Sequence, residues 1–192
     1  TLMRSSAASD VYKRQITAGR LVEQKGYDLL LDAWSKVHQK HPEWILDIYG
    51  EGEDKNMLLE KRKNLALENS VLFHPPTPDI YQKYMDSDFY VMSSRYEGFG
   101  LVLAEAMSCG IPCVSFDCPH GPSDIIKDHE DGLLVEKENI KELADKICYL
   151  IENENVRIKM GHKARENVKR FLPENVMPQW KNLFESLTYS SK

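Results

Sequence analysis

Short apolar runs alternate with amphipathic stretches along most of this chain, and this alternation constrains its fold more than any other feature. The runs are rich in Ile, Val and Phe and are bounded by Gly, Pro, Asp or Ser, as buried strands are. Strands that alternate with helices favour an α/β fold, a parallel sheet covered on both sides. We therefore predict strands at 16–18, 45–49, 71–73, 89–92, 113–116 and 133–135, and helices at 27–39, 54–67, 80–85, 101–109 and 140–152.

The last part of the chain, residues 155–187, has a helical pattern throughout. Pro178 is expected to kink or restart the helix there, because proline lacks the N–H that a helix interior needs. We see no interdomain linker, so we predict a single α/β domain with a helical tail. The tail carries an apolar stripe made of Val176, Trp180, Leu183, Phe184 and Leu187.

The first fifteen residues differ in character from the rest. They are polar and lack the apolar segment of a secretory signal. Residues 10–15, DVYKRQ, resemble the translation of a common transposase-based sequencing adapter. We therefore predict a non-native or disordered leader at 1–15, with native sequence beginning near Ile16 and an upstream portion lost; a genuine disordered leader is the alternative. The DNA at this junction tests the hypothesis, which fails if no adapter sequence is present.

Charge and cysteine content narrow the classes of function. A net charge of −5 argues against a general polyanion binder. The longest apolar runs, such as 101–104 and 111–114, are too short to cross a bilayer. Cys113, Cys118 and His120 can be read as a metal cluster, but the sequence has no matching second half. Small buried thiols in a reducing cytoplasm fit the four cysteines better.

The most informative short segment is SRYEGFGLVLAE, residues 94–105. Two glycines flank Phe99 in a turn that opens a helix, and such a turn presents free backbone N–H groups that suit a phosphate. Glu97 precedes the turn, and Glu105 lies about one and a half helical turns further on. Both carboxylates can accept hydrogen bonds from sugar hydroxyls, so this segment can hold both halves of a nucleotide sugar.

Each acid also has an ordinary interpretation. Glu97 can simply favour the positive N-terminus of the helix, but that leaves the two glycines unexplained, and glycine permits close approach of a ligand to the backbone. Glu105 can be a solvated residue at the exposed edge of an otherwise apolar helix. A carboxylate in such a helix otherwise needs a partner, and a ribose diol can supply one.

A second loop, GRLVEQKG at 19–26, follows the first strand and precedes the first helix. It brings Arg20 and Lys25 to the ligand-facing edge of the sheet, where a diphosphate needs cations; taken alone, two such residues are usually just solvated. Two features are weaker. The G-x-G at 50–52 lacks the third glycine of a dinucleotide fingerprint, and its ordinary interpretation is a tight turn. His120 lies in a rigid loop and can touch the substrate, but its ordinary interpretation is an exposed loop histidine.

Together these residues resemble the retaining glycosyltransferases of family 4, which have the two-domain GT-B architecture. The match covers residues 16–187, and its most specific element is E-x7-E, formed by Glu97 and Glu105; the loop at 19–26 precedes it in the expected order. The resemblance implies a Rossmann-like parallel sheet with helices on both faces, one half of a GT-B fold. It implies a nucleotide-sugar (donor) binding domain at 16–172 and a C-terminal crossover helix and tail at 173–192.

The resemblance also implies roles for individual residues. Arg20 and Lys25 bind the donor diphosphate, and Glu97 contacts hydroxyls of the transferred sugar; these three are the catalytic candidates. Glu105 holds the ribose. No metal and no cofactor are expected, because the nucleoside diphosphate sugar is a co-substrate. The further substrate-binding candidates are Gly19, Pro76, Thr77, Gly98, Phe99, Gly100, Leu101 and His120.

The chain departs from the family pattern in three places. Residues 74–77, HPPT, replace a loop that often contains glycine near the nucleobase, which leaves the nucleobase open. The loop at 118–124 has Asp124 where Glu is frequent, and resembles loops of bacterial enzymes that build surface polysaccharides or lipid-linked oligosaccharides. The acceptor-binding N-terminal domain is missing. The helix around Trp180 resembles the one that crosses back onto that domain.

The implied reaction is transfer of a hexosyl group from a nucleoside diphosphate sugar, expected to be a UDP-sugar, to a hydroxyl of a glycan or lipid-linked glycan, with retention. The expected partners are the donor, that acceptor and the missing N-terminal domain, with no nucleic acid. The expected location is the cytoplasm, with peripheral association at the inner membrane in the intact enzyme. We expect this fragment alone to bind donor without transferring sugar.

Three other functions compete with this one. A related GT-B enzyme, such as a sugar-nucleotide epimerase or a phosphorylase, would share the domain plan, although no motif supports the cofactor-binding lysine of a phosphorylase. A non-catalytic nucleotide-sugar binding module is the second. A nicotinamide-dependent dehydrogenase is the third, and the absence of G-x-G-x-x-G argues against it.

Overall fold

The computed structural model of the protein describes residues 13–189. Six parallel strands form its sheet: β1 (Lys13–Ala18), β2 (Trp44–Tyr49), β3 (Val71–His74), β4 (Phe89–Met92), β5 (Cys113–Asp117) and β6 (Gly132–Glu136). The helices are α1 (Tyr27–Lys40), α2 (Lys55–Asn64), α3 (Ile80–Met85), α4 (Leu101–Ser108), α5 (Pro122–Ile125), α6 (Ile140–Glu152), α7 (Glu154–Asn167) and α8 (Pro173–Tyr189). Short 3₁₀ helices span Glu23–Lys25 and Val168–Phe171.

Hydrophobic cores lie on both faces of the sheet. One core includes Trp34 of α1 and Ile147 of α6, packed against inward residues of the central strands. The other contains Tyr84 of α3 and Leu103 of α4 against the opposite face. The predicted class is confirmed: a parallel α/β sheet with helices on both faces and a helical tail. Cys113, Cys118 and Cys148 are buried free thiols, and Cys109 is partly buried.

The strand order of the sheet, β3-β2-β1-β4-β5-β6, indicates where a ligand is expected to bind. The chain moves outward in one direction from β1 and in the other direction from β4, so the loops after these adjacent strands diverge. In open parallel sheets ligands bind in the crevice that this divergence leaves at the carboxyl ends of the strands. The loops at 19–26 and 93–100 border that crevice.

All the predicted strands and helices are present, with differences at their ends. β1 begins three residues before the predicted Ile16, and Lys13 to Gln15 pair with the start of β2. Their polar side chains concealed the strand, although Arg14 donates to Asp47 at 2.6 Å. The prediction for residues 1–12 lies outside the described residues. The predicted helix at 54–67 ends at Asn64, because Ala66 adopts a left-handed φ of 54°.

The tail is helical but not continuous, and this corrects the prediction for 155–187. Leu172 is extended between the 3₁₀ helix and α8, because a residue before proline is pushed out of the helical region. The helix therefore restarts at Pro173, whereas Pro178 lies inside α8. The apolar stripe of α8 is exposed, with Trp180 at 50% and Phe184 at 58%. Among the described helices none is both long and apolar enough to span a membrane.

Candidate functional site

The crevice between the carboxyl ends of β1 and β4 contains a small pocket. Thr17 and Ala18 line it from β1, Ser93 and Ser94 line it from the loop after β4, and Lys25 reaches it from the loop after β1. The pocket is therefore located where the strand order predicts a ligand. Two of the candidate residues meet at its rim.

Lys25 and Glu97 form a close ion pair across this crevice. Lys25 Nζ donates to Glu97 Oε1 at 2.6 Å, and the Ser94 hydroxyl donates to the same oxygen at 2.6 Å. The two side chains are only 17% and 8% exposed. The sequence placed Lys25 near a diphosphate and Glu97 near a sugar, and the structure brings the two groups together. One carboxylate oxygen accepts both hydrogen bonds, and no hydrogen bond among the described residues uses the other oxygen, Glu97 Oε2.

Backbone contacts fix the two loops against each other. Arg95 N–H donates to Gln24 O at 2.8 Å, and the Gln24 side chain donates to Tyr96 O at 3.0 Å. Arg95 also makes a bidentate pair with Asp28 of α1, at 2.9 and 2.7 Å. Gly26 lies so close to the neighbouring loop that an added Cβ would be 2.1 Å from Ser93 O. The positions of Lys25 and Glu97 are thus set by the backbone.

The glycine turn opens α4 as predicted. Gly100 adopts a left-handed φ of 86° immediately before Leu101, a conformation that glycine reaches without strain. Within residues 13–189 the N–H groups of 98–102 donate to no other backbone group. Gly98 faces open space, with no atom within 4 Å of an added Cβ. Phe99 and Leu101 are exposed. The turn therefore presents free donors, at the positive end of a helix, to a ligand.

Glu105 is a partly buried carboxylate on α4. Ser108 Oγ donates to the backbone carbonyl of Glu105, but no ion pair or hydrogen bond joins its carboxylate to another of the described residues. Burial raises the pKa of this carboxylate. Its charge in turn raises the pKa of Tyr81 on α3. The interpretation of Glu105 as an ordinary solvated acid does not explain this burial. An acid that is partly desolvated without a partner has hydrogen-bonding capacity for a ligand.

We expect Glu105→Gln to raise the free energy of unfolding at neutral pH. The raised pKa means that the folded state binds more protons than the unfolded state, so this group destabilises the fold as the pH rises above the ordinary carboxyl pKa. Urea unfolding from about pH 4 to pH 8 should show the gain growing with pH. The exposed Glu60→Gln on α2 is the control. A gain confined to acidic pH would contradict the assignment.

The remaining residues of the first loop surround the same crevice. Arg20 is exposed, and its guanidinium forms no ion pair with the part of the chain that is described. Gly19 N–H donates to Tyr49 O at 3.0 Å. Gly50 and Gly52 pack against this loop: an added Cβ would be 1.9 Å from Gly19 O and 2.2 Å from Leu21 O. This packing accounts for the two glycines of the G-x-G at 50–52, and the turn expected there lies at 53–54.

Two further loops border the site from either side. His120 is exposed with a left-handed φ of 64°, and an added Cβ on the next residue, Gly121, would be 2.0 Å from Phe99 O. This loop therefore buttresses the glycine turn. Pro76 and Thr77 follow β3, whose last residue His74 stacks on Tyr49 with ring centroids 4.5 Å apart. Glu97 N–H donates to Pro119 O at 3.5 Å, next to His120, whereas no hydrogen bond among the described residues links Pro76 or Thr77 to Lys25 or Glu97.

The sequence did not identify the residues that fix the Glu97 side chain and the loops at 19–26 and 93–100. Ser94 begins the segment at 94–105, but its hydrogen bond to Glu97 does not follow from the sequence pattern. Ser93 Oγ donates to Lys25 O at 3.0 Å, and Arg95 bridges to α1. Serines that follow a buried strand at a ligand edge were the available signal. The partner of Arg95, Asp28, could not be identified from spacing alone.

Comparison with known proteins places this geometry in a family. The family model for glycosyl transferases group 1 matches residues 2–167. The chain is 36% identical to the amylovoran biosynthesis glycosyltransferase AmsD of Erwinia amylovora, covering 91% of this chain and 50% of AmsD. It is 37% identical to the poly(ribitol-phosphate) alpha-N-acetylglucosaminyltransferase of Staphylococcus aureus, covering 87% of this chain and 34% of that protein.

A solved structure agrees with these relatives. A point mutant of S. aureus TarM, in complex with fondaparinux, alpha-GlcNAc-glycerol and UDP, superposes with a TM-score of 0.87 at 34% identity. The superposition covers 96% of this chain and 38% of the TarM chain. The chain thus spans half or less of the length of these proteins. A family model that matches most of the chain, together with this fold, shows that the chain belongs to the glycosyl transferases group 1 family.

Proposed function

We propose that the intact protein is a retaining glycosyltransferase of family 4 that transfers a hexosyl group from a UDP-sugar to a hydroxyl of a glycan or lipid-linked glycan. The observation that carries the proposal is the Lys25–Glu97 pair, 2.6 Å apart at the crevice between β1 and β4. The free N–H groups of the glycine turn lie next to it along the chain. A cation, a carboxylate and free amides are the groups that a diphosphate and a sugar require.

The geometry supports separate roles for the groups that bind the donor. Arg20 and the N-terminus of α4 neutralise the diphosphate together with Lys25. As the bond from the anomeric carbon to the diphosphate stretches, negative charge grows on the phosphate oxygens, and groups held in place beforehand stabilise it. Because these cations supply the neutralisation, we propose a site that works without metal.

Donor binding would rearrange the Lys25–Glu97 pair. In the described structure one oxygen of Glu97 accepts both from Lys25 and from Ser94. A diphosphate that draws the ammonium toward itself frees that oxygen to accept from hydroxyls of the transferred sugar. Glu97 therefore acts as a positioning group for the sugar, and Glu105 is left to accept from the ribose.

The relatives support the donor and the acceptor class. UDP and alpha-GlcNAc-glycerol are named in the TarM complex, and the name of the S. aureus relative specifies an alpha linkage on poly(ribitol phosphate). AmsD is named for amylovoran biosynthesis. These names support a UDP-sugar donor, an alpha product and a polyhydroxyl acceptor. We place the reaction in the cytoplasm, at the inner face of the membrane.

The intact enzyme would need more chain than these 192 residues. The chain spans half of AmsD, and we propose that an N-terminal domain completes the crevice and binds the acceptor. The exposed apolar stripe of α8 would pack against that domain. The chain alone would then bind nucleotide without transferring sugar, and measurable transfer by it would contradict this part of the proposal.

Thermal-shift screening against UDP-, GDP- and ADP-sugars tests the donor assignment. A ligand that binds only the folded state raises the melting temperature, by an amount that grows with the ratio of ligand concentration to Kd. We expect UDP-sugars to raise it and the other two classes to raise it less. Lys25→Met should abolish the shift, while Lys61→Met on α2 should keep it. Equal shifts with all three classes, or none with any, would contradict a UDP-sugar site.

A further inference from the structure

A second cluster of polar side chains lies at the opposite edge of the sheet from the donor crevice. α1 and α6 both start near the carboxyl ends of strands and run back, so both helices end at the amino edge. His41 follows the last residue of α1, and Cys148 and Glu152 lie one turn apart at the end of α6. The function proposed for the donor crevice uses none of these residues.

The three side chains converge closely. His41 Nε2 lies 2.9 Å from Glu152 Oε1, and one ligand atom from each of the three residues lies within 4.8 Å of the others. Zn²⁺ binds nitrogen, sulfur and oxygen at about 2.0–2.3 Å, which places tetrahedral ligand atoms on the order of 3.5 Å apart. Only a small adjustment separates the observed positions from that geometry.

The exposure of each side chain suits that adjustment. Cys148 is 4% exposed, and the His41 side chain is 16% exposed, whereas the Glu152 side chain is 53% exposed. The thiol and the imidazole are therefore held by packing between the helices, and the carboxylate is free to rotate. A site with two fixed ligands and one adjustable ligand can close on an ion without moving the backbone.

Several groups at this edge favour a cation. The carbonyl groups at a helix C-terminus carry a partial negative charge, and two helices end at this cluster; at the end of α6, Arg157 donates to Leu150 O at 2.6 Å and offsets part of that charge. The last turn of α6 contains no basic residue. The last turn of α1 contains His38 and Lys40, and the Lys40 ammonium lies 3.9 Å from Asp145. A thiolate and a carboxylate beside a neutral imidazole balance a divalent charge. Thiolate and imidazole select zinc over magnesium or calcium.

We propose that His41, Cys148 and Glu152 bind Zn²⁺, with water as the fourth ligand, and that the ion ties the end of α1 to the end of α6. This differs from the cluster considered from the sequence: of the described residues, Cys113, Cys118 and His120 do not form a close group of potential ligands. The sequence could not indicate the new site, because more than a hundred residues separate His41 from Cys148.

The simplest alternative is a site without metal. The His41–Glu152 hydrogen bond alone would then join the helices, and Cys148 would be a core thiol like Cys113. The two possibilities differ in what Co²⁺ does when it is added to the chain. A cobalt–thiolate bond produces a charge-transfer band in the near ultraviolet, and tetrahedral coordination produces intense visible bands, whereas a hydrogen-bonded pair produces neither.

The test is a Co²⁺ titration of the full, metal-stripped chain, followed by displacement with Zn²⁺. We expect the charge-transfer band to appear and to disappear when zinc is added. Loss of a group that only supports a metal ligand lowers affinity about 10- to 100-fold, so Cys148→Ser should lower it at least about 100-fold and remove the band. Cys109→Ser, at the end of α4, is the matched control and should keep the band.

A second variant keeps the test decisive if Cys148→Ser does not fold. Glu152→Gln changes an exposed side chain and should fold normally, yet it should lower Co²⁺ affinity at least about tenfold and reduce the rise in melting temperature that Zn²⁺ gives. Absence of the band in the wild-type chain, its persistence in Cys148→Ser, or unchanged affinity in Glu152→Gln would each overturn the proposal. Donor binding by these variants should be unchanged, so this test stands apart from the proposed function.

Discussion

Replacing Lys25 with methionine should lower sugar transfer by the intact enzyme on the order of a hundredfold or more, the usual effect of losing one preorganised donor to developing charge. The substitution removes the ammonium that lies 2.6 Å from Glu97. It therefore removes a cation from the diphosphate site, and the Glu97 carboxylate, which is only 8% exposed, loses its cationic partner and keeps only the hydrogen bond from Ser94. The measurement is kcat and KM for transfer, alongside urea unfolding.

The controls separate catalysis from folding. Lys61→Met breaks a Lys–Asp pair of similar length, 2.7 Å, between α2 and α1; it should retain transfer and lose at most about 1 kcal/mol. The double variant Lys25→Met/Glu97→Gln should recover stability, because no unpaired charge remains, but it should not recover transfer. Wild-type transfer by Lys25→Met, or recovery of transfer in the double variant, would contradict the role of this cation.

Glu97→Gln is informative in the same assay. A positioning carboxylate that becomes an amide should reduce turnover strongly and leave no covalent product. Retaining hydrolases use a carboxylate nucleophile, so mass spectrometry of the protein during turnover distinguishes the two mechanisms. A trapped glycosyl adduct on Glu97 or on its variant would replace the positioning role with a nucleophilic one.

The sequence predicted the layers of this fold well because burial imposes a clear pattern. Strands buried on both faces appear as apolar runs, and β4 matches its prediction at both ends. β1 extends earlier than predicted because Arg14 is stabilised by Asp47, an ion pair between residues 33 positions apart. Patterns of hydrophobicity contain no information on such pairs. The break at Leu172 was a local error, since the proline that follows it was visible.

The sequence predicted which types of residue form the site and at which edge of the sheet they lie. The loops at 19–26 and 94–105 could be assigned to one edge, since both follow strands of a parallel sheet. That Lys25 contacts Glu97, and that Ser94 shares the same oxygen, depends on how β1 and β4 are ordered in the sheet. Strand order follows from packing of the whole domain, so the geometry of the pair required the structure.

Replacing two glycines of the site with alanine should affect stability very differently. Gly26→Ala should destabilise the chain by at least about 3 kcal/mol, because a left-handed alanine costs about 1–2 kcal/mol and the new methyl group would be 2.1 Å from Ser93 O. The melting temperature should fall on the order of 10 °C. Because that carbonyl is backbone, the two loops would have to separate for the methyl group to fit.

Gly98→Ala is the matched substitution with the opposite expectation. Its new methyl group meets nothing within 4 Å, and its φ is not left-handed, so stability should change by less than about 0.5 kcal/mol. Donor binding should nevertheless weaken, because the methyl group would occupy the space through which a phosphate approaches the amides of the turn. Unfolding by urea and calorimetric titration with UDP measure the two effects separately.

Unchanged UDP affinity in a fully folded Gly98→Ala chain would mean that the open face of the turn does not contact the donor. Loss of stability in that variant would mean instead that the turn is packed, and the free amides at the start of α4 would then be explained without a ligand.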